Sequence, residues 1–281
     1  MEKFIDYITR GKSSIILPLI LLILSCIIFE TTELDLSIQD LFFNKETQSW
    51  VFNHRDKDSI AVFLYYKVVK WFVILFAVAL ITKTIRGIIK HTESRNRIMK
   101  MLYLIVVMAT IPSTVGILKA MSNMPFPYKI ERYGGNEPQR TLIEAFSGKP
   151  LPSGNKYKGW PGGHSTFGFC FLGLGFVFCD RKKRLNGFLF ATALGFLIGI
   201  CHTVDGNHFF SHNIASWLIG WFLAAIIFNL FFKSKAGKPE AGELESRKLE
   251  SRKLESRKLE SRKLESRKLE SRKLESRKLE S

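Results

Sequence analysis

The chain has 281 residues, a formal net charge of +17 and 46% apolar residues. Its mean hydropathy of +0.06 resembles that of a soluble protein, but residues 244–281 repeat Leu-Glu-Ser-Arg-Lys seven times and end in Leu-Glu-Ser, diluting long uncharged runs upstream. That tail holds 14 Lys/Arg and 8 Glu, so residues 1–243 carry +11, in clusters between apolar segments; this disfavours disorder, a soluble enzyme and nucleic-acid binding and favours a membrane protein.

A helix crossing a ~30 Å hydrocarbon core needs about 20 mostly apolar residues. In chain order, segments near 13–29, 60–82, 101–119, 165–180, 187–201 and 213–232 meet or approach that requirement. They predict an all-α polytopic membrane protein of six transmembrane helices. The fourth and fifth are short, but Gly173, Gly175, Gly195 and Gly199 allow close helix approach. The first is expected to be a span rather than a cleaved leader, because Glu30-Thr31-Thr32 follows it instead of a small-residue cleavage site. Cys26, Cys170, Cys179 and Cys201 lie in or beside apolar runs without CxxC spacing, which reads as apolar packing rather than a disulfide framework.

Three regions follow: a cytoplasmic N-terminus at 1–12, a six-span domain at 13–236, and a low-complexity tail at 237–281. In the repeat, leucine every five residues advances about 140° per step at 3.6 residues per turn, so no apolar stripe forms. The basic clusters Lys3/Arg10/Lys12, Lys83–Lys100, Arg181–Arg184 and Lys233/Lys235 all fall on one side of the six-span arrangement. By the positive-inside rule that side is cytoplasmic. The expected location is a bacterial-type inner membrane, with loops 120–164 and 202–212 on the periplasmic face.

The polar residues concentrate in those two outer loops. Trp160-Pro161-Gly162-Gly163-His164-Ser165 leads straight into an apolar run. Two glycines before a helix start present unpaired N–H groups to an anion, with histidine beside them. In the second loop His202, His208 and His212 place three of the six histidines within eleven residues. A metal site is the rival reading, but their spacings of six and four straddle Gly206 and no carboxylate cluster accompanies them. Neither a metal nor another cofactor is expected. Lys119, at the outer end of the third span, is either an interfacial snorkelling lysine or an anion contact.

The order Lys119, Pro-Gly-Gly-His, His208 resembles the membrane-bound type 2 phosphatidic acid phosphatases of the acid-phosphatase/vanadium-haloperoxidase superfamily. Their motifs read Lys-x6-Arg-Pro, Pro-Ser-Gly-His and Ser-Arg-x5-His-x3-Asp. This chain matches the first at Lys119 and Pro127, with Phe126 where Arg belongs. Pro161–His164 match the second with Gly162 for Ser; the third matches at His208, with Cys201, His202 and His212 in the Ser, Arg and Asp places. A sub-branch carrying Trp-Pro-Gly-Gly-His and His-Phe-x-Ser-His looks closer.

The resemblance implies the family's helical bundle core and a two-step displacement on a membrane lipid phosphate. His208 would be the nucleophile and His164 the general acid and base. Lys119, Gly162, Gly163, Ser165 and His202 would bind the phosphate. His212 would orient His208, with Asp205 as the substitute orienter. A neutral histidine loses its acceptor on protonation, which predicts activity falling as pH drops through about 6 to 7. Candidate substrates are lipid A-like, phosphatidylglycerophosphate, undecaprenyl diphosphate or phosphatidate lipids. A lipid phosphotransferase on the same residues, or a non-catalytic binder of anionic lipid, are the alternatives. Oligomeric state is not readable from the sequence.

Overall fold

A computed structural model describes residues 2–51 and 67–232. Met1–Phe231 forms one compact unit; of the second, Phe232–Ser281, only Phe232 is among the described residues. The tail at 237–281, Lys233, Lys235 and the start of the expected second span at 60–66 therefore lie outside them. The elements in chain order are α1 (Glu2–Thr9), α2 (Ser13–Thr31), α3 (Leu34–Asp40), β1 (Phe43–Asn44), β2 (Ser49–Trp50), α4 (Val69–Ile89) and α5 (Arg95–Met121). Then come α6 (Leu142–Phe146), α7 (Thr166–Phe169), α8 (Leu174–Val177), α9 (Arg181–Val204) and α10 (Phe210–Phe232).

The architecture is all-α apart from the two-residue antiparallel pair β1–β2. Local signals set the helix starts. Ser94 caps α5 by accepting from the Arg97 amide at 3.4 Å, and Asp180 caps α9 by accepting from that of Lys183 at 2.8 Å. Thr141 and Glu144 form a reciprocal capping box on α6.

Among the described residues five helices, α2, α4, α5, α9 and α10, are long and apolar enough to cross a membrane. The expected fourth span, 165–180, is a shorter apolar helical stretch, Thr166–Val177. Residues 166–177 form α7, a 3₁₀ turn at Cys170–Gly173 and α8, not one α-helix. Glycines 168, 173 and 175 weaken helix propensity across this run, and packing against α9 decides its path. A Cβ on Gly195 of α9 would sit 2.1 Å from the Phe169 ring. The fifth expected span is longer than 187–201, running from the Asp180 cap to Val204.

Burial ranks the helices. Half of the apolar window of α10 is buried, against 11% for α2 and for α4. Thus α10 is central, while α2 turns Ile20, Ile23, Leu24 and Ile27 outward, as a lipid-facing helix would. At the end of α5 remote from Lys119, α1 is tied to α9 and α10. Asp6 pairs with Arg181 at 2.8 Å and with Arg184, and the Trp221 indole donates to the Ile8 carbonyl at 2.9 Å.

At the opposite end Leu36, Phe43, Ile130, Tyr133 and Phe209 form an apolar cluster with Trp50 packed against it. This cluster braces the short connection between α9 and α10. Gly206 in that connection has φ +76°, and a Cβ there would meet the Trp50 ring at 2.5 Å. The turn therefore requires glycine on two grounds.

Candidate active site

Four histidines, one lysine and the Pro-Gly-Gly turn meet at this end. Lys119 arrives from the last turn of α5, the turn and His164 from the approach to α7, His202 from the end of α9, and His208 and His212 from either side of the α10 start. The Lys119 Nζ lies 3.4 Å from His208 Nε2. An ammonium only donates, so Nε2 accepts and the ring proton sits on Nδ1. That Nδ1 is buried with no hydrogen-bond partner among the described residues. His208 is 1% exposed and lies between the two helices. Burial first, then the charge of Lys119, holds its pKa well below the ordinary imidazole range.

His164 and His208 present their rings 6.1 Å apart, centroid to centroid. His202 stacks on His164 at 4.0 Å, with planes 22° apart, and its Nδ1 lies 3.4 Å from an Asp205 carboxylate oxygen. Asp205 also accepts from the Asn207 amide at 3.0 Å and its side chain at 2.8 Å. The backbone folds these residues together, because the Asn207 and His208 amides both donate to the His202 carbonyl, at 3.0 and 2.9 Å.

The orienting pair expected from the His-x3-His spacing is not hydrogen-bonded through the ring nitrogens that would join it. His208 and His212 meet edge to face with centroids 5.9 Å apart, and Nδ1 of each is buried without a partner among the described residues. His212 instead hydrogen-bonds the Gly159 backbone. Asp205, the substitute orienter, is engaged beside His202 and Asn207.

The Pro-Gly-Gly turn is keyed to α10. The Gly162 amide donates to the His212 carbonyl at 2.9 Å, and the Ser216 hydroxyl donates to the Gly162 carbonyl at 2.7 Å. Ser165 donates to that same carbonyl at 3.0 Å, so it supports the turn from within. A Cβ on Gly162 would lie 2.6 Å from Asn213 Oδ1. Asn213 thus occupies the space a serine would need there. Its amide donates to the Gly199 carbonyl and the Thr203 hydroxyl, each at 3.2 Å, binding α9 to α10. Gly163 runs beside Lys119, whose Nζ would be 3.2 Å from a Cβ at that position.

Asn213 and Ser216 escaped sequence reasoning, because they sit on an apolar helix and carry no motif signal. Phe126 turns its edge to His208, with centroids 5.8 Å apart, and stacks on Tyr128. An aromatic wall therefore stands where the resembling motif has arginine. The outer-loop arginines do not replace it: Arg132 makes a two-point contact with Asp40 at 3.1 and 2.7 Å, and Arg140 donates to the Lys149 and Pro150 carbonyls. Lys158 is exposed, and its charge reaches Lys119.

Among the described residues no group of three or more His, Cys, Asp or Glu side chains converges as a metal site. The family model of the PAP2 superfamily matches residues 100–236, a stretch containing every residue of this cluster. No curated protein and no solved structure matches the chain. An all-α bundle with apolar helices of spanning length, carrying a PAP2 superfamily match over its histidine cluster, supports phosphatase-type chemistry on phosphorylated substrates.

Proposed function

We propose that the protein is an integral-membrane lipid phosphate phosphatase working through a phosphohistidine on His208. The observation that carries this reading is the approach of Lys119 Nζ to His208 Nε2 at 3.4 Å, with His164 facing across 6.1 Å. A phosphoryl group between the two rings has a nucleophile on one side, an acid on the other and a cation beside it.

In the first step His208 Nε2 attacks phosphorus. A P–N bond forms, the P–O bond to the lipid breaks, and protonated His164 gives its proton to the departing oxygen. In the second step His164 takes a proton from water, whose oxygen attacks phosphorus; the P–N bond breaks and inorganic phosphate leaves. Lys119, the Gly163–Ser165 backbone and His202 hold the equatorial oxygens, where charge must be balanced; the Gly162 amide, expected among these donors, is instead committed to the His212 carbonyl. His212 serves as the orienter once its ring turns toward His208 Nδ1, which has no acceptor among the described residues. The reaction needs no cofactor.

The positive-inside pattern supports an inner membrane of bacterial type, with the site on the periplasmic face and both termini cytoplasmic. The substrate is a lipid phosphate, and lipid A-like, phosphatidylglycerophosphate, undecaprenyl diphosphate and phosphatidate lipids are the candidates. The test is phosphate release from such lipids by the purified full chain in detergent, with acid-labile phosphohistidine trapped by rapid quench. Wild-type protein should release phosphate and carry the label on His208. Release at the wild-type rate by His208→Ala would overturn the mechanism.

A further inference from the structure

A cavity of about 340 Å³ opens beside the histidine cluster between α2, the start of α10 and the loop before α6. That volume is within the range of small-molecule sites. Its wall is mixed: Phe29, Met124, Trp160 and Phe209 supply apolar surface, while Glu30 and Asp35 bring in two carboxylates.

The direct hydrogen-bond partners of both carboxylates are uncharged. The Leu142 amide donates to Glu30 at 2.9 and 3.0 Å; the Ser211 amide donates to Asp35 at 3.0 Å, and so does the Ser211 hydroxyl. Arg140 also lines the cavity, but its guanidinium is bonded to the Lys149 and Pro150 carbonyls. Burial, with a smaller contribution from the Glu30 charge, pushes the Asp35 carboxyl up to about 6 against the lowering effect of the Ser211 hydrogen bonds. A carboxylate has about four acceptor positions, so both retain capacity for incoming donors. His212, part of the same wall, keeps a buried Nδ1 without a partner among the described residues. The cavity is thus acceptor-rich, anionic and flanked by the outward-facing apolar side chains of α2.

We infer that this cavity is a headgroup subsite that takes a lipid carrying hydrogen-bond donors, hydroxyl or ammonium, beside its phosphate. The placing of that phosphate at Lys119 rests on the phosphatase reading; the donor preference of the cavity does not. His212 belongs to both spaces, so a headgroup seated here leaves its phosphate toward His208. Lipid phosphates without headgroup donors forgo these contacts.

Binding to the detergent-solubilised full chain by calorimetry tests this without turnover. Three dioctanoyl diesters of equal phosphate charge serve as probes: phosphatidylglycerol with hydroxyls, phosphatidylethanolamine with an ammonium, and phosphatidylethanol with neither. At least one of the first two should bind about tenfold tighter than phosphatidylethanol, the scale of one hydrogen bond to a charged group. Preference for phosphatidylglycerol identifies hydroxyls and preference for phosphatidylethanolamine identifies an ammonium. Asp35→Asn and Glu30→Gln should bring the ratio toward one, as should Ala215→Leu, which fills the cavity from α10. Equal affinities in the wild type, or a preference that survives all three substitutions, would overturn the inference. Phosphatidate hydrolysis by the same preparation reports on the phosphatase reading separately.

Discussion

Lys119 Nζ stands 3.4 Å from His208 Nε2, joining the end of α5 to the turn that enters α10 across 89 residues of sequence. In the phosphatase reading proposed above, the two groups have distinct functions. His208→Ala should abolish turnover while the protein still folds, whereas His164→Ala should slow it by roughly 10²–10⁴-fold, the usual worth of general acid catalysis. Lys119→Ala should lower kcat/KM mainly through KM. Steady-state kinetics on purified variants, with melting temperature as the folding control, make the comparison.

The pH dependence follows from the burial of His208. Its pKa is held well below about 6.5, so the imidazole stays neutral as pH falls through the ordinary imidazole range. The acid limb of kcat/KM should lie below the 6–7 interval expected from an exposed histidine. Stability has the matching sign: a depressed imidazole pKa favours the folded state above about 6.5 and loses that contribution as pH falls toward the folded value. A pH–rate profile and melting temperatures between pH 4 and 8 measure both.

Gly162 and Asn213 should be energetically coupled. Gly162→Ser places a Cβ 2.6 Å from Asn213 Oδ1 and should destabilise by about 1–3 kcal/mol, the scale of overpacking. Asn213→Ala opens that space. The double variant should recover part of the loss, giving an interaction of about 0.5–3 kcal/mol in a double-mutant cycle. Strict additivity in melting experiments would contradict the clash.

His212→Asp should place an acceptor near His208 Nδ1, which now has none among the described residues. In the phosphatase reading it stabilises the imidazole as positive charge develops. The expected result is higher kcat with activity extended to lower pH, while His212→Ala lowers kcat. Coincident pH–rate profiles for wild type and both variants would remove His212 from the mechanism.

Gly206→Ala should disturb the site through its support. The residue has φ +76° and its added methyl would strike Trp50. A destabilisation of roughly 1–3 kcal/mol is expected from the backbone alone, with lower kcat because His208 is two residues away. Trp50→Ala in the same background relieves the clash but not the dihedral cost, so it should recover only part of the melting temperature.

Composition and periodicity determined the class of this protein. Five of the six apolar segments are long helices whose ends fall within seven residues of their expected limits, apart from the start of α4, which lies beside residues outside the described ones, because about 20 uncharged residues leave few other solutions in a bilayer. The fourth segment, expected at 165–180, is a shorter helical run over Thr166–Val177 with a 3₁₀ middle: glycine lowers its local propensity, and contact with α9 sets its path. Motif spacing likewise made Lys119, His164, His202, His208 and His212 candidates, since residue type and order are visible along a chain. Tertiary structure alone decided how they meet. The Gly159 backbone acts on His212, His208 Nδ1 has no partner among the described residues, and His202 stacks on His164 beside Asp205. Asn213 and Ser216 hold the Pro-Gly-Gly turn from an apolar helix face, and Glu30 and Asp35 reach the cavity from regions far away in sequence. Such contacts depend on side-chain packing between distant segments, which no local pattern records.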